Sequence, residues 1–151
     1  MSNFGLVRGG LPAKCFTMWL APALAGRAIV QVGGSIRLSG DTEPEPDLVV
    51  LRLREDRYGF ALPGPEDILL VVEVAETSAR YDREVKALIY AQAGIPEYWL
   101  ADLNDRTITR CREPAEDGYR RRLVARGGDL ISPEAFPDLH TTPDSIFPPV
   151  Q

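Results

Sequence analysis

Three residues of this chain have side chains suited to phosphodiester chemistry: Asp47, Glu73 and Lys86. Glu73 lies inside the most hydrophobic run, Ile68-Leu69-Leu70-Val71-Val72-Glu73-Val74-Ala75, and Asp47 follows Pro46 and opens a second apolar run, Leu48-Val49-Val50-Leu51. Apolar residues on both sides of Glu73, without strict alternation, read as a strand covered on both faces. An ionised carboxylate there costs several kcal/mol unless it is paired, hydrogen-bonded or bound to a cation. Two acids on strands followed by a lysine on a helical segment point to a metal-dependent site for phosphodiester cleavage. The competing reading is an ion pair, with an arginine or with Lys86 itself, that serves the fold alone.

The elements that must position these residues follow from local pattern. A short helix is expected over 16–24, with Met18 and Leu20 inward and Pro22 limiting its length. A strand is expected over 28–38, bent or bulged at Gly33-Gly34. An acidic, proline-containing link over 39–45 leads into a strand from Asp47 to Leu53, and 54–66 reads as a connecting loop. Past the buried strand, Thr77 and Ser78 are candidate caps for a helix whose apolar residues Tyr81, Val85, Leu88 and Ile89 recur at helical spacing. Gly94 and Pro96 end it, because glycine accepts a left-handed cap and proline cannot continue the helix. Strands are expected over 97–102, 107–112 and 119–126, the last two joined by a loop over 113–118. The proline-punctuated remainder reads as an irregularly packed tail.

Composition bounds the possibilities. At 151 residues the chain is expected to form one domain over its whole length, with 44% hydrophobic and 26% charged residues, ordinary for a globular protein. The formal net charge of -5 argues against a polycation that coats nucleic acid through clustered Lys and Arg. Cys15 and Cys111 have no paired metal-ligand spacing and His140 is the only histidine, so zinc is disfavoured and the cysteines read as free thiols of a reducing cytosol. The first ten residues lack the pattern of a signal peptide, and no apolar run approaches the roughly 20 residues of a membrane span. A cytoplasmic protein without membrane contact is therefore expected.

The order strand, loop, buried strand, helix, strand, with Pro46-Asp47, Glu73-Val74-Ala75 and Lys86 along it, matches the core of PD-(D/E)XK nucleases. The stretches EPDLVVLR and LLVVEVAETSARYDREVKALIYAQAGIPEYWLADL closely resemble the Uma family of restriction-endonuclease-like proteins. That resemblance implies an α/β fold (α+β) with a restriction-endonuclease-like core, a mixed central sheet flanked by helices. It implies a Mg²⁺-dependent DNA endonuclease, with Mn²⁺ an alternative ion. Asp47, Glu73 and the Val74 carbonyl would supply hard oxygen ligands, and Lys86 would orient the nucleophile or offset phosphate charge.

The chain departs from the superfamily motif at Ala75, where a lysine is usual, and the resemblance assigns that role to Lys86 on the following helix. A helical side chain tilts toward its N-terminus, so Lys86 can reach back. Asp82, one turn before Lys86, is a candidate partner for it, or equally a first-turn acid favoured by the helix dipole. Relatives carry an additional N-terminal segment with further acidic residues, and this chain is expected to begin near their second half. That expectation leaves a second reading open, a catalytically impaired nuclease-fold protein acting as a binding or assembly module.

Arg120, Arg122 and Arg126 alternate onto one strand face and are candidate nucleic-acid contacts, or else solvated edge charges. A homodimer is expected, because cutting both strands needs two sites and the sheet edge near 107–126 must be covered or blunted. His140 reads as a surface residue.

Overall fold

The computed structural model describes residues 10–75 and 80–149, and of residues 80–82 the backbone alone. Thr77 and Ser78, expected as caps, and the side chains of Tyr81 and Asp82 lie outside the described residues. Among the described residues, one mixed sheet runs in chain order: β1 (Ala28–Val32), β2 (Leu48–Arg52), β3 (Ile68–Ala75), β4 (Glu97–Asp102), β5 (Thr107–Ala115) and β6 (Gly118–Arg126). Neighbours are antiparallel except β3 and β4, which run parallel and are joined through helix α2 (Arg80–Gln92). A parallel pair needs such a crossover, which lays α2 on one face of the sheet. Helices α1 (Gly10–Leu24) and α3 (Pro143–Ile146) cover the other. This is the expected α/β class with a mixed sheet flanked by helices.

Alternation, reset once where Val50 pairs with Leu70 but Leu51 with Ile68, sends the apolar runs into two cores. Leu48, Val50, Leu70 and Val72 pack with Phe16, Leu20, Leu24 and Trp99 on the α1 side. Val49, Leu51, Ile68 and Val71 pack with Ala87, Tyr90 and Tyr98 on the α2 side. Both faces of β2 and β3 are covered, which is why their sequences are apolar without alternation.

Several local expectations are corrected. Helix α1 starts six residues earlier than expected, because Pro12 lies in its first turn, where a missing N–H costs nothing. Its buried face is Ala13, Phe16, Leu20 and Leu24, whereas Met18, expected inward, is 75% exposed. The strand expected over 28–38 stops at Val32, since Gly33 and Gly34 take φ of 68° and 79° and two left-handed residues break the pleat. On α2 the inward residues are Ala87, Tyr90 and Ala91, while Leu88 and Ile89 are each 37% exposed. Small alanines bring the helix axis close to the sheet and displace the larger apolar pair toward its rim. The helix ends as expected: Gly94 has φ 81°, and the amides of Gly94 and Ile95 donate to the carbonyls of Ala91 and Tyr90, closing a Schellman motif. The loop expected over 113–118 shrinks to a tight turn, with Ala115 paired to Gly118. No helix among the described residues is long and apolar enough to cross a membrane.

Candidate active site

The β2–β3 register sets the two acids side by side. Leu48 faces Val72, so Asp47, one residue earlier, reaches the level of Glu73, one residue later. Both acids lie two residues from Val49 and Val71 of the α2-side core, so alternation turns their side chains to the α2 face. Asp47 is 8% exposed and Glu73 is 7% exposed, which makes them buried acids rather than surface charges. The Val74 amide donates to Asp47 Oδ2 at 2.8 Å, so the Asp47 side chain is fixed against the backbone of the strand that carries Glu73.

Helix α2 supplies the other half. Lys86 and Tyr90 are four residues apart and share a helix face. Lys86 Nζ donates to Glu73 Oε1 at 3.0 Å, and the Tyr90 hydroxyl donates to Glu73 Oε2 at 2.6 Å. The Glu73 side chain is 9% exposed and that of Lys86 53%, so the ammonium stands at the boundary between a buried acid and solvent. From there it can hydrogen-bond Glu73 and still present N–H groups outward, since an ammonium carries three donors. Burial, followed by the charge of Glu73 and the hydrogen bond to it, pushes the Tyr90 hydroxyl well above the ordinary tyrosine range, so Tyr90 acts as a donor.

Three residues before Lys86 on the same helix, Arg83 makes an ion pair with Asp102, the last residue of β4, and Asp102 also accepts from the Asp105 amide. This clamp fixes the first turns of α2 against the sheet end at which Glu73 sits. It is a role for Arg83 that the sequence leaves open. Neither Tyr90 nor Asp102 stands out in the sequence. The usable signal for Tyr90 is its position four residues after Lys86.

Asp47, Glu73 and Lys86 are thus brought together, while the side chain of the fourth candidate, Asp82, lies outside the described residues. Arg120, Arg122 and Arg126 are exposed on β6, the outer strand, and are not gathered at the acids. Three strand spacings separate β6 from β3, about 14 Å. Arg122 pairs with Glu84 of α2 at 3.3 Å. His140 is exposed and hydrogen-bonds Ser132 Oγ at 2.8 Å, and the two cysteines are free.

A further buried acid was not expected. Glu97 is fully buried on the α1 side, where it accepts from Trp99 Nε1 at 2.8 Å, Arg112 Nε at 2.8 Å and the Glu134 amide at 2.7 Å. With three donors in place it ties the C-terminal segment to the sheet, on the face opposite Glu73.

The arrangement can be compared with known proteins. No curated protein matches the chain in sequence. A solved structure described as a putative nuclease belonging to DUF820, from Anabaena variabilis ATCC 29413, is similar to it with a TM-score of 0.64 and 17% identity, over 89% of this chain and 75% of that one. At that identity the likeness establishes the fold, a restriction-endonuclease-like core. The family model described as "Putative restriction endonuclease" matches residues 10–144, which include the whole sheet and the Asp47, Glu73 and Lys86 cluster, so the chain belongs to the Uma2 family.

Proposed function

We propose that this protein is a Mg²⁺-dependent endonuclease that hydrolyses phosphodiester bonds of DNA. The observation that carries the reading is the convergence of two buried strand-end acids with a half-exposed lysine 3.0 Å from one of them. Membership of a family described as restriction endonucleases and the fold of a neighbour described as a nuclease support it.

The donors fit a hard cation. Asp47 and Glu73 offer carboxylate oxygens, and the Val74 carbonyl is a third candidate beside them. Among the described residues no three His, Cys, Asp or Glu side chains gather, and the described donors are two carboxylates, those of Asp47 and Glu73. That is the number Mg²⁺ commonly takes while keeping several waters. When bound, Mg²⁺ or Mn²⁺ would polarise a phosphoryl oxygen and lower the pKa of a coordinated water.

The chain's own residues have distinct tasks. Tyr90 and Lys86 hold the two Glu73 oxygens, and the Val74 amide holds Asp47, so both carboxylate planes are set before substrate arrives. The outward N–H groups of Lys86 face an incoming phosphate or attacking water and offset the charge that develops there. Asp82 is assigned a supporting role beside Lys86. Arg120, Arg122 and Arg126 are assigned outer phosphate contacts along β6, and the active unit is a homodimer.

The second reading, a noncatalytic binding or assembly module, is favoured by one observation: both Glu73 oxygens already hold donors, as in a structural ion pair. Incubation of supercoiled plasmid with the protein and Mg²⁺ or Mn²⁺ separates the two. Nicking that disappears in Lys86→Ala and Glu73→Gln is the expected result. Equal cleavage by parent and variants, or none by the parent, would remove the catalytic reading.

A further inference from the structure

On the face of the sheet opposite Glu73, arginines crowd together. Register pairs Trp99 with Arg110 and Glu97 with Arg112 across β4 and β5, so both arginines leave the sheet on the α1 side. Across β5 and β6, Arg112 stands directly opposite Arg121. Like charges directly opposed on a sheet are destabilising unless something offsets them.

The partners of these arginines differ. Arg112 is fixed by Glu97 at 2.8 Å and by the Ser132 carbonyl at 2.8 Å. Arg121 pairs with Glu113 at 3.3 Å, but both side chains are more than half exposed, and such surface pairs exchange readily with solvent. Arg122, opposite Cys111 of the α2-side core, sends its guanidinium to the other face, where it meets Glu84 of α2, so it borders this cluster without adding a fork to it. Among the described residues the Arg110 side chain has no hydrogen bond or ion pair, although the residue is only partly exposed. Burial, then the charges of Arg112 and Arg121, press its pKa below the ordinary arginine value against the opposite pull of the Glu97 and Glu134 carboxylates.

Arg110, Arg112, Arg121, Arg122 and Leu123 line a concavity of about 120 Å³. Pockets for drug-sized ligands begin at roughly 300 Å³, so this one suits an ion-sized group. Guanidinium forks match tetrahedral oxyanions in geometry as well as charge. We propose that this arginine-lined pocket between β5 and β6 is a binding site for a phosphate group, with Arg110 as its unpaired anchor and Arg112 as its prefixed wall. The group is either free inorganic phosphate or a phosphate of a nucleic acid. The site lies on the other side of the sheet from Asp47 and Glu73 and does not depend on the nuclease reading.

The test is a thermal-shift titration with inorganic phosphate in EDTA, at constant ionic strength so that general screening is held fixed. The parent is expected to show saturable stabilisation. Arg110→Gln should weaken the apparent affinity at least about tenfold, the scale of one lost charge-assisted interaction. Arg110→Lys, which keeps the charge and loses the fork, should fall between them. Arg57→Gln, an equal charge change in a distant loop, should match the parent. Competition by short oligonucleotides with and without a terminal phosphate then assigns the source: displacement by either places nucleic acid in the pocket, and displacement by neither leaves free phosphate. No saturable shift in the parent, or the same shift in Arg110→Gln, would overturn the site. Because the titration excludes metal, its failure leaves the Asp47 and Glu73 reading untouched, and the reverse holds equally.

Discussion

Tyr90 and Lys86 grip opposite oxygens of Glu73: the phenol donates to Oε2 at 2.6 Å and the ammonium to Oε1 at 3.0 Å. The two donors differ in what surrounds them. Tyr90 is 1% exposed, so its bond is made away from water, where an unmade partner is costly. The Lys86 bond lies at the solvent boundary and can be exchanged. A buried tyrosine that fixes the acid and a half-exposed lysine with donors to spare for a ligand make a workable division of labour.

Two tyrosines whose rings lie 5.1 Å apart should therefore respond oppositely to loss of their hydroxyls. Tyr90→Phe leaves Glu73 Oε2 without its donor and should cost about 1.5–3 kcal/mol of unfolding free energy, the range for hydrogen bonds to charged groups. The Tyr98 hydroxyl is buried and has no partner among the described residues, so Tyr98→Phe should be neutral or stabilising by about 1 kcal/mol. Urea denaturation of both variants checks the pair. Equal destabilisation would contradict the assignment of the hydrogen bonds.

Glu97 should prove structural. Glu97→Ala removes the acceptor of Trp99 Nε1, Arg112 Nε and the Glu134 amide together, and a broken buried ion pair costs about 3–5 kcal/mol. Metal affinity of the folded variant should be unchanged, because Glu97 faces the other side of the sheet. A loss of metal binding without a loss of stability would reverse the roles of Glu97 and Glu73.

How far the sequence foretells this site depends on how unusual each residue looks in its setting. Glu73 is legible because a carboxylate in an unbroken apolar run has few reasons to be there, and Asp47 and Lys86 gain meaning from it. Tyr90 is not, since an aromatic residue on an amphipathic helix reads as core, and Tyr90 is both core and hydrogen-bond donor. Glu97 opens a strand, where an acid reads as solvated, and only its alternation with Trp99 turns it inward. The inward face of α2 is misread because Leu88 and Ile89 dominate any count of hydrophobicity, while Ala87 and Ala91 decide which side can approach the sheet. The parallel β3–β4 pair follows from the strand–helix–strand pattern, whereas the order of all six strands is set by tertiary pairing and the end of β1 turns on the backbone angles of Gly33 and Gly34.

Alkaline pH should destabilise the protein. Burial pushes the Cys111 thiol from 9.0 up to about 11, and it raises Tyr90 and Tyr119 as well. A thiol whose folded pKa exceeds its unfolded value contributes stability that is complete below the unfolded pKa and is lost as pH rises toward the folded one. Between pH 9 and about 11 the Cys111 term should therefore fall by about 1.4 kcal/mol per pH unit. Unfolding free energies of parent and Cys111→Ala across that window should converge as pH rises. Parallel pH profiles for the two would show that the thiol titrates alike in both states.

The most direct measurement of the proposed metal centre is a Mn²⁺ titration of metal-free protein, read by calorimetry and by the shift in unfolding free energy. One saturable site is expected, competed by Mg²⁺, with stabilisation of roughly 2.7 kcal/mol at a hundredfold excess over its dissociation constant. Glu73→Gln and Asp47→Asn should each lose most of that binding, and Glu73→Gln need not be less stable than the parent without metal, because it removes a buried negative charge. Mn²⁺ that binds and stabilises Glu73→Gln as strongly as the parent would contradict the assignment of Asp47 and Glu73 as a metal centre.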